Sequence, residues 1–211
     1  MTTTPEQTSP PREVPRRRSE EVGDFVRGQV TRLSRLYLED TSQGVRTVAR
    51  LASAAGKTVE HADLEVMGWT IDGLPGAAGT ERTDSPAEIA SHAAITLYAL
   101  HQRSQRDRSA QNTDRTFATA VGRLYRSSTQ GDGILRRFNA TATAVSQAEL
   151  LTHLRGLVQL LKRERLSFDY GLLAHDLLRA QTPSGADRVR LDWGREFYRV
   201  PADESEPSTD A

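Results

Sequence analysis

The 211-residue chain contains no cysteine, which removes disulfides, thiol nucleophiles and thiolate-held metals from its chemistry. It has almost no lysine: of 28 basic residues only Lys57 and Lys162 are not arginine. Codon usage in a GC-rich genome accounts for that choice, though not for where the arginines cluster. No apolar run approaches the roughly 20 residues of a membrane span, and the N-terminus lacks the apolar centre of a signal peptide. The chain is therefore expected to be soluble and cytoplasmic, with no membrane partner. No Gly-x-Ser-x-Gly elbow and no His-Glu-x-x-His motif occurs, and no carboxylate sits inside an apolar run where burial would tune its pKa.

Two apparent motifs dissolve on inspection. Gly56-Lys57-Thr58 resembles the end of a phosphate-binding loop, but Leu51 stands where that motif needs its first glycine, and a helix rather than a strand leads into it. Glu60, His61 and Asp63 can be drawn as a ligand cluster, yet three polar residues at an exposed helix start are the commoner explanation. His61, His92, His101, His153 and His175 include no pair at the i, i+4 spacing of a helical zinc site. The expectation is no enzyme, no metal and no cofactor.

What the chain has is segregated charge. The formal net charge is zero, but residues 101–165 carry 11 Arg and one Lys against five acids, while residues 60–90 carry seven acids against Arg82 alone. A polyanion responds to local potential rather than to net charge, so a neutral total is compatible with nucleic acid.

Between the ends nearly every segment has helical period. Val22, Phe25, Val26, Val30, Leu33, Leu36 and Tyr37 make one stripe, with Ser19 expected to start it. Val45, Val48, Leu51, Ala52 and Ala55 make a second, stopped by Gly56, with Arg46 and Arg50 projecting side by side. A short helix is expected over 59–69, then a loop of about fifteen residues around Gly73, Pro75, Gly76 and Gly79. Ser85-Pro86-Ala87-Glu88 is a capping box opening a helix with Ile89, Ala93, Leu97 and Leu100 on one face. Residues 101–108, with Arg103, Arg106 and Arg108, are expected to be an exposed basic helix end or loop.

Arg123 and Arg126 lie beside the stripe Phe117, Val121, Leu124 and Tyr125, and Gly131-Asp132-Gly133 is expected to break that helix. Ile134, Leu135 and Phe138 then anchor a short helix offering Arg136 and Arg137. Ser146 and Glu149 form a second capping box, before the strongly amphipathic run Leu150, Leu151, Leu154, Leu157, Val158 and Leu161, whose other face shows His153, Arg155, Lys162 and Arg163. Tyr170, Leu173, Leu177 and Leu178 mark a helix ended by residues 181–185, and Val189, Trp193 and Phe197 mark the last. Nowhere is there sustained apolar alternation. The expected fold is all-α, a compact multi-helix, bundle-like domain over 19–200, with disordered tails at 1–18 and, acidic, at 201–211.

With Arg136-Arg137-Phe138-Asn139, the leucine helix around His153-Leu154-Arg155-Gly156-Leu157-Val158, Asp169-Tyr170 and the run Val189 to Arg199 in view, the chain resembles the CasB family, the small subunit of the type I-E CRISPR Cascade complex. The resemblance is specific over 134–199, weaker over 22–55 and 92–102, and does not reach the tails or the 70–85 loop. It implies an all-helical, non-catalytic subunit present in two copies beside the other Cascade subunits and their CRISPR RNA. It implies also that basic residues hold the backbone of unwound target DNA and stabilise the R-loop. The family's basic positions match Arg46, Arg50, Arg136, Arg137 and Arg155. Where some members carry further basic residues, this chain has Asn139-Ala140-Thr141-Ala142-Thr143. Arg103, Arg106, Arg108, Arg123 and Arg126 join the candidates on charge clustering alone, and Arg46, Arg50, Arg136, Arg137 and the arginines of 103–108 are expected on one continuous basic face. A helix-turn-helix regulator over 147–180 and a helical protein–protein adaptor are the alternatives.

Overall fold

Helical period and helix-end signals agree along the chain, and the computed structural model, which describes residues 16–75 and 85–199, is helical over most of those stretches. The elements are α1 (Arg16–Leu38), α2 (Ser42–Ala54), a 3-10 turn (Val59–His61), α3 (Leu64–Thr70), α4 (Pro86–Gln102), α5 (Phe117–Ser127), α6 (Gly131–Ala142), α7 (Gln147–Arg163), α8 (Tyr170–Arg179) and α9 (Pro183–Arg199). Among the described residues the β content is one isolated parallel bridge between Gln111 and Phe168. No described helix is long and apolar enough to cross a membrane. The expected tails lie largely outside the described residues, as does most of the expected 70–85 loop.

The fold is built around α4. The sequence predicts an amphipathic helix, but α4 is buried along both sides from Ala90 to Gln102. It is flanked by α1, α2, α3, α7 and α8, leaving no face for water. The apolar stripe misses this because the other positions are small or weakly polar: Ala90, Ser91, Ala94, Thr96 and Ala99 fit against neighbouring backbones and read as neutral in a periodicity count. Most of its polar groups are satisfied internally, the exception being His92 Nε2, which is buried with no hydrogen-bond partner among the described residues. Ser91 donates to the Thr70 carbonyl at 2.6 Å, and Thr96 donates to the His92 carbonyl at 2.7 Å.

The sharpest departure is at the end of α4. His101 and Gln102 are buried, and so is Gln105 in the loop beyond, whereas Arg103, Arg106 and Arg108 are exposed. Gln102 is the reason. Its Nε2 donates to the carbonyls of Gln105 (2.7 Å) and Arg108 (2.9 Å), and its Oε1 accepts from Tyr98 Oη (3.0 Å) and the Ala110 N–H (2.8 Å). One amide thus uses its full donor and acceptor capacity to wind the loop around itself. A run without apolar residues is therefore folded inward at its glutamines and outward at its arginines.

Helix ends differ in smaller ways. Ser19 does not start α1, which begins at Arg16, and its side chain is buried instead. The 59–69 helix is two pieces, with Asp63 accepting from the Val66 N–H to start α3. The Gly131 and Gly185 turns belong to the first turns of α6 and α9 rather than to separating loops. The Ser85–Glu88 capping box forms as the sequence predicts. At α7 Ser146 accepts from the Glu149 N–H, but the Glu149 carboxylate reaches one residue further back, to the Val145 N–H at 2.9 Å.

The remaining core is one continuous cluster. Phe117, Phe138, Trp193 and Phe197 interlock between α5, α6 and α9, with Phe138 and Phe197 stacked at 4.7 Å and Phe117 and Trp193 5.2 Å apart. Tyr170 is fully enclosed, bonded to His101 Nδ1 at 2.8 Å, and burial pushes its phenol well above the usual range. Asp169, almost fully buried, caps α8 through the N–H groups of Gly171 and Leu172 and holds Arg27 of α1 at 2.8 Å.

Two histidines in this core make stability depend on pH. Burial pushes His92 down to about 4 and His101 down to about 3, from an ordinary value of 6.5. Both are neutral when folded and take up a proton on unfolding, so their contribution is complete above pH 6.5 and is lost as pH falls through the window between 6.5 and about 4. Each should approach a slope of about 1.4 kcal/mol per pH unit within that window. Glu196, whose carboxyl burial pushes up, acts in the opposite direction at its lower end. Denaturant midpoints should fall between pH 7 and pH 5 and fall less for His101→Asn; a flat profile would show the imidazoles to be solvated.

Candidate nucleic-acid interface

An α-helix leaves its last four carbonyls without intrahelical donors, and that end carries the negative pole of the helix dipole. In this fold the basic residues repeatedly supply the missing donors, and they do so from other elements. Arg155 on α7 donates through Nη1 to the Ala55 carbonyl at the end of α2 (2.6 Å). Arg126 on α5 donates through both Nη atoms to Phe197 O in the last turn of α9 (3.2 and 3.3 Å). Lys162 on α7 reaches Leu100 O in the last turn of α4 (3.2 Å), Arg190 on α9 reaches Ala142 O at the end of α6 (2.8 Å), and Arg108 reaches Arg165 O just past α7 (3.3 Å).

Two glycines permit these clasps. Gly56 follows the end of α2 at φ +84°, and a Cβ there would meet the Arg155 stem at 3.5 Å. At Gly122 a Cβ would come within 2.4 Å of Phe197 O, so only glycine lets α5 and α9 approach closely enough for Arg126 to reach. Burial, and then the neighbouring Arg123, lower the Arg126 pKa.

Other candidates are held by acids. Arg50 bonds Asp63 (3.0 Å) and lies 3.4 Å from Glu65, which ties α2 to the start of α3. The Asp63 carboxyl is held below the usual range first by the Val66 N–H, then by Arg50. Arg106 pairs with Asp40 and lies over the Tyr37 ring at 4.7 Å. These pairs are exposed and weaker than the core.

Arg123 is half-buried and also engaged, which leaves Arg46, Arg103, Arg136 and Arg137, exposed and with side chains that make no bond or ion pair to the described residues. The ten candidates fall into three groups. Arg46, Arg50 and Arg155 belong to α2 and the clasp on its end. Arg103, Arg106 and Arg108 belong to the loop after α4, where the Arg103 charge reaches Lys162. Arg123, Arg126, Arg136 and Arg137 belong to α5 and α6: Arg126 reaches the last turn of α9, and Phe138, next in sequence to Arg137, is stacked on Phe197. One residue missed in the sequence completes that corner. Tyr198 is 70 % exposed, its ring set edge-on to Phe197 at 4.9 Å. It follows a core position directly, so the apolar stripe hides it.

Among the described residues no three His, Asp or Glu side chains are grouped to hold a metal ion. A groove of about 330 Å³ between α4, α7 and α8 is lined by Ile89, Ala93, Val145, Leu150, Leu177 and Gln181, with no ionisable side chain around it. The one distinctive surface chemistry is guanidinium on rigid helices.

A family model for the CRISPR-associated protein Cse2 matches residues 47–198. The chain belongs to the Cse2 family. Its fold is similar to that of CasB from Thermobifida fusca, with 37% identity over 84% of this chain and 97% of that one and a TM-score of 0.72. A Cse2-family protein from Thermus thermophilus is 24% identical over 86% of this chain and 98% of that one, with a TM-score of 0.61. A chain of a CRISPR RNA-guided surveillance complex is 22% identical over 83% and 95%, with a TM-score of 0.63. The last two likenesses concern fold alone. No match is found among the curated proteins. The helix-turn-helix alternative loses its support, because α8, which would be the reading helix, buries Tyr170, Leu173, Ala174, Leu177 and Leu178 between α1 and α4.

The two kinds of arginine should separate in melting experiments. Arg126→Ala and Arg155→Ala each remove a charged clasp of about 1–2 kcal/mol, roughly 2–8 °C for a chain of this size. Arg136→Ala and Arg137→Ala should leave the melting temperature within about 2 °C, since surface changes of this kind stay within about 0.5 kcal/mol. The opposite order would show the clasps to be superficial.

Proposed function

We propose that this Cse2-family chain is the non-catalytic small subunit of a type I-E CRISPR Cascade complex, cytoplasmic and assembled with other Cascade subunits, their CRISPR RNA and a second copy of itself. In that complex it holds the backbone of unwound target DNA through sequence-independent arginine contacts and stabilises the R-loop. The observation that carries this reading is the set Arg46, Arg103, Arg136 and Arg137, rigidly mounted and left without partners among the described residues. Replacing a DNA duplex by an RNA–DNA hybrid and a displaced strand is close to balanced in free energy, so a few backbone contacts decide it. Guanidinium groups suit this task because their fork matches phosphate geometry and reads no base.

Within this mechanism the other candidates have graded roles. Arg50 and Arg106 can exchange an exposed carboxylate for a phosphate at small cost, since such surface pairs contribute about 0–1 kcal/mol. Arg123 borders the α9 corner, and Arg108, Arg126 and Arg155 act first by fixing the helix ends that carry the others. The adaptor alternative has these arginines meeting acids of neighbouring subunits.

Arg136→Ala/Arg137→Ala separates the two. The complex should assemble, its affinity for target DNA should drop by a similar factor for every guide, and the slope of log affinity against log salt should become shallower by about 1.4–1.8, or 0.7–0.9 per lost phosphate contact. Failed assembly would support the adaptor, and a guide-dependent loss would mean base reading rather than backbone holding.

A further inference from the structure

A single exposed aromatic residue is ordinary on a protein surface. Tyr198 differs in how it is held and in what surrounds it. The residue before it, Phe197, is completely buried, stacked on Phe138 and 5.3 Å from Tyr125, and its carbonyl is gripped by both Nη atoms of Arg126. The backbone under Tyr198 is thus fixed by α5 and α6, and the edge-on contact with Phe197 leaves the tyrosine ring open to solvent. The surrounding charge is mainly basic: Arg199 follows it in the chain and Arg123 and Arg126 lie on α5, while the nearest acid, Glu196, is half-buried and bonded to Thr116. One turn back on the same face of α9 is Arg195, and a further turn back Leu191 is 59 % exposed.

We infer that Tyr198 is a stacking platform for an unpaired nucleobase, with the arginines at the end of α9 holding the phosphates that flank that base. The ligand class is single-stranded nucleic acid. A duplex offers phosphates to the same arginines but keeps its base faces covered, so Tyr198 adds affinity only for a single strand. Tyrosine suits the role because its ring has two side-chain torsions to fix and every base has a face to stack on, which keeps the contact blind to sequence. The inference rests on the nucleic-acid reading above and adds to it a means of favouring unwound over paired DNA. The charge at this corner also selects the occupant: an apolar protein partner would have to bury several arginines, whereas a polyanion uses them.

The test uses the full-length chain and oligonucleotides carrying one 2-aminopurine, whose emission is quenched when it stacks on an aromatic ring. Wild-type protein and Tyr198→Phe should quench it at saturation in single-stranded DNA or RNA, and the DNA-to-RNA affinity ratio identifies the strand that is held. Tyr198→Ala should melt with the wild type, bind single strands about tenfold more weakly or worse, lose the quenching and keep its duplex affinity. The inference is overturned if Tyr198→Ala retains the quenching, weakens single strands and duplex alike, or only impairs assembly with other subunits. If Arg136→Ala/Arg137→Ala weakens binding while Tyr198→Ala behaves as wild type, the platform fails and the phosphate contacts stand. If the wild-type chain binds no oligonucleotide, the platform fails, and the backbone-holding reading is decided by the Arg136→Ala/Arg137→Ala complex.

Discussion

Every α-helix ends in carbonyl oxygens that it cannot bond itself, and in an all-helical protein many of those ends meet other helices rather than water. Here the problem is met by cations sent across from neighbouring elements: Arg155 to α2, Lys162 to α4, Arg190 to α6, Arg126 to α9 and Arg108 to the chain leaving α7. Each clasp joins the end of one helix to the body or approach of another, so the same hydrogen bond that satisfies a carbonyl also sets a packing angle. Glycine at these places follows from that geometry: at Gly122 a side chain would press on the clasp, and at Gly56 the chain leaves α2 at a φ of +84° that favours glycine. An arginine-rich composition is in part a consequence of how this fold closes its helices.

Function then depends on what the clasps leave over. A guanidinium bonded to a helix terminus has part of its donor capacity taken up within the fold, and one paired to a carboxylate is neutralised at short range. Arg136 and Arg137 are neither, and they stand on a helix whose Phe138 is locked into the aromatic cluster. The rigidity of the corner at the end of α9 and the freedom of its charges have the same origin, since Arg126 fixes α9 from one side and Phe138 fixes α6 from the other. In the function proposed above, a surface of that kind holds a polyanion without rearranging, which keeps the ordering cost of binding low.

The helices, their order and most of the core are legible in the sequence because apolar spacing at 3.6 residues is a strong signal when one face is wet: Leu151, Leu154, Leu157 and Leu161 are all buried as that spacing predicts. Periodicity misleads where that premise fails. α4 has no wet face, so its alanines and threonines carry burial that no stripe records. Gln102 and Gln105 look exposed in the sequence because they are polar, yet an amide with all its bonds made belongs inside. The family is legible from Arg136-Arg137-Phe138 and the 189–199 run. The division of arginines into clasps and free cations is not, because a clasp joins residues such as Arg155 and Ala55 that are far apart in the chain, and nothing local marks either one. Tyr198 escapes because its neighbour Phe197 satisfies the pattern.

The most direct test of this division is Arg155→Ala, measured as the slope of log affinity for target DNA against log salt in the assembled complex. Arg155 lies at a position where the family resemblance implies a DNA contact, yet its guanidinium is bonded to the Ala55 carbonyl. The account predicts a lower melting temperature with the salt slope unchanged, because no phosphate contact is lost. A slope shallower by about 0.7–0.9, with the melting temperature unmoved, would contradict it and make Arg155 a phosphate ligand.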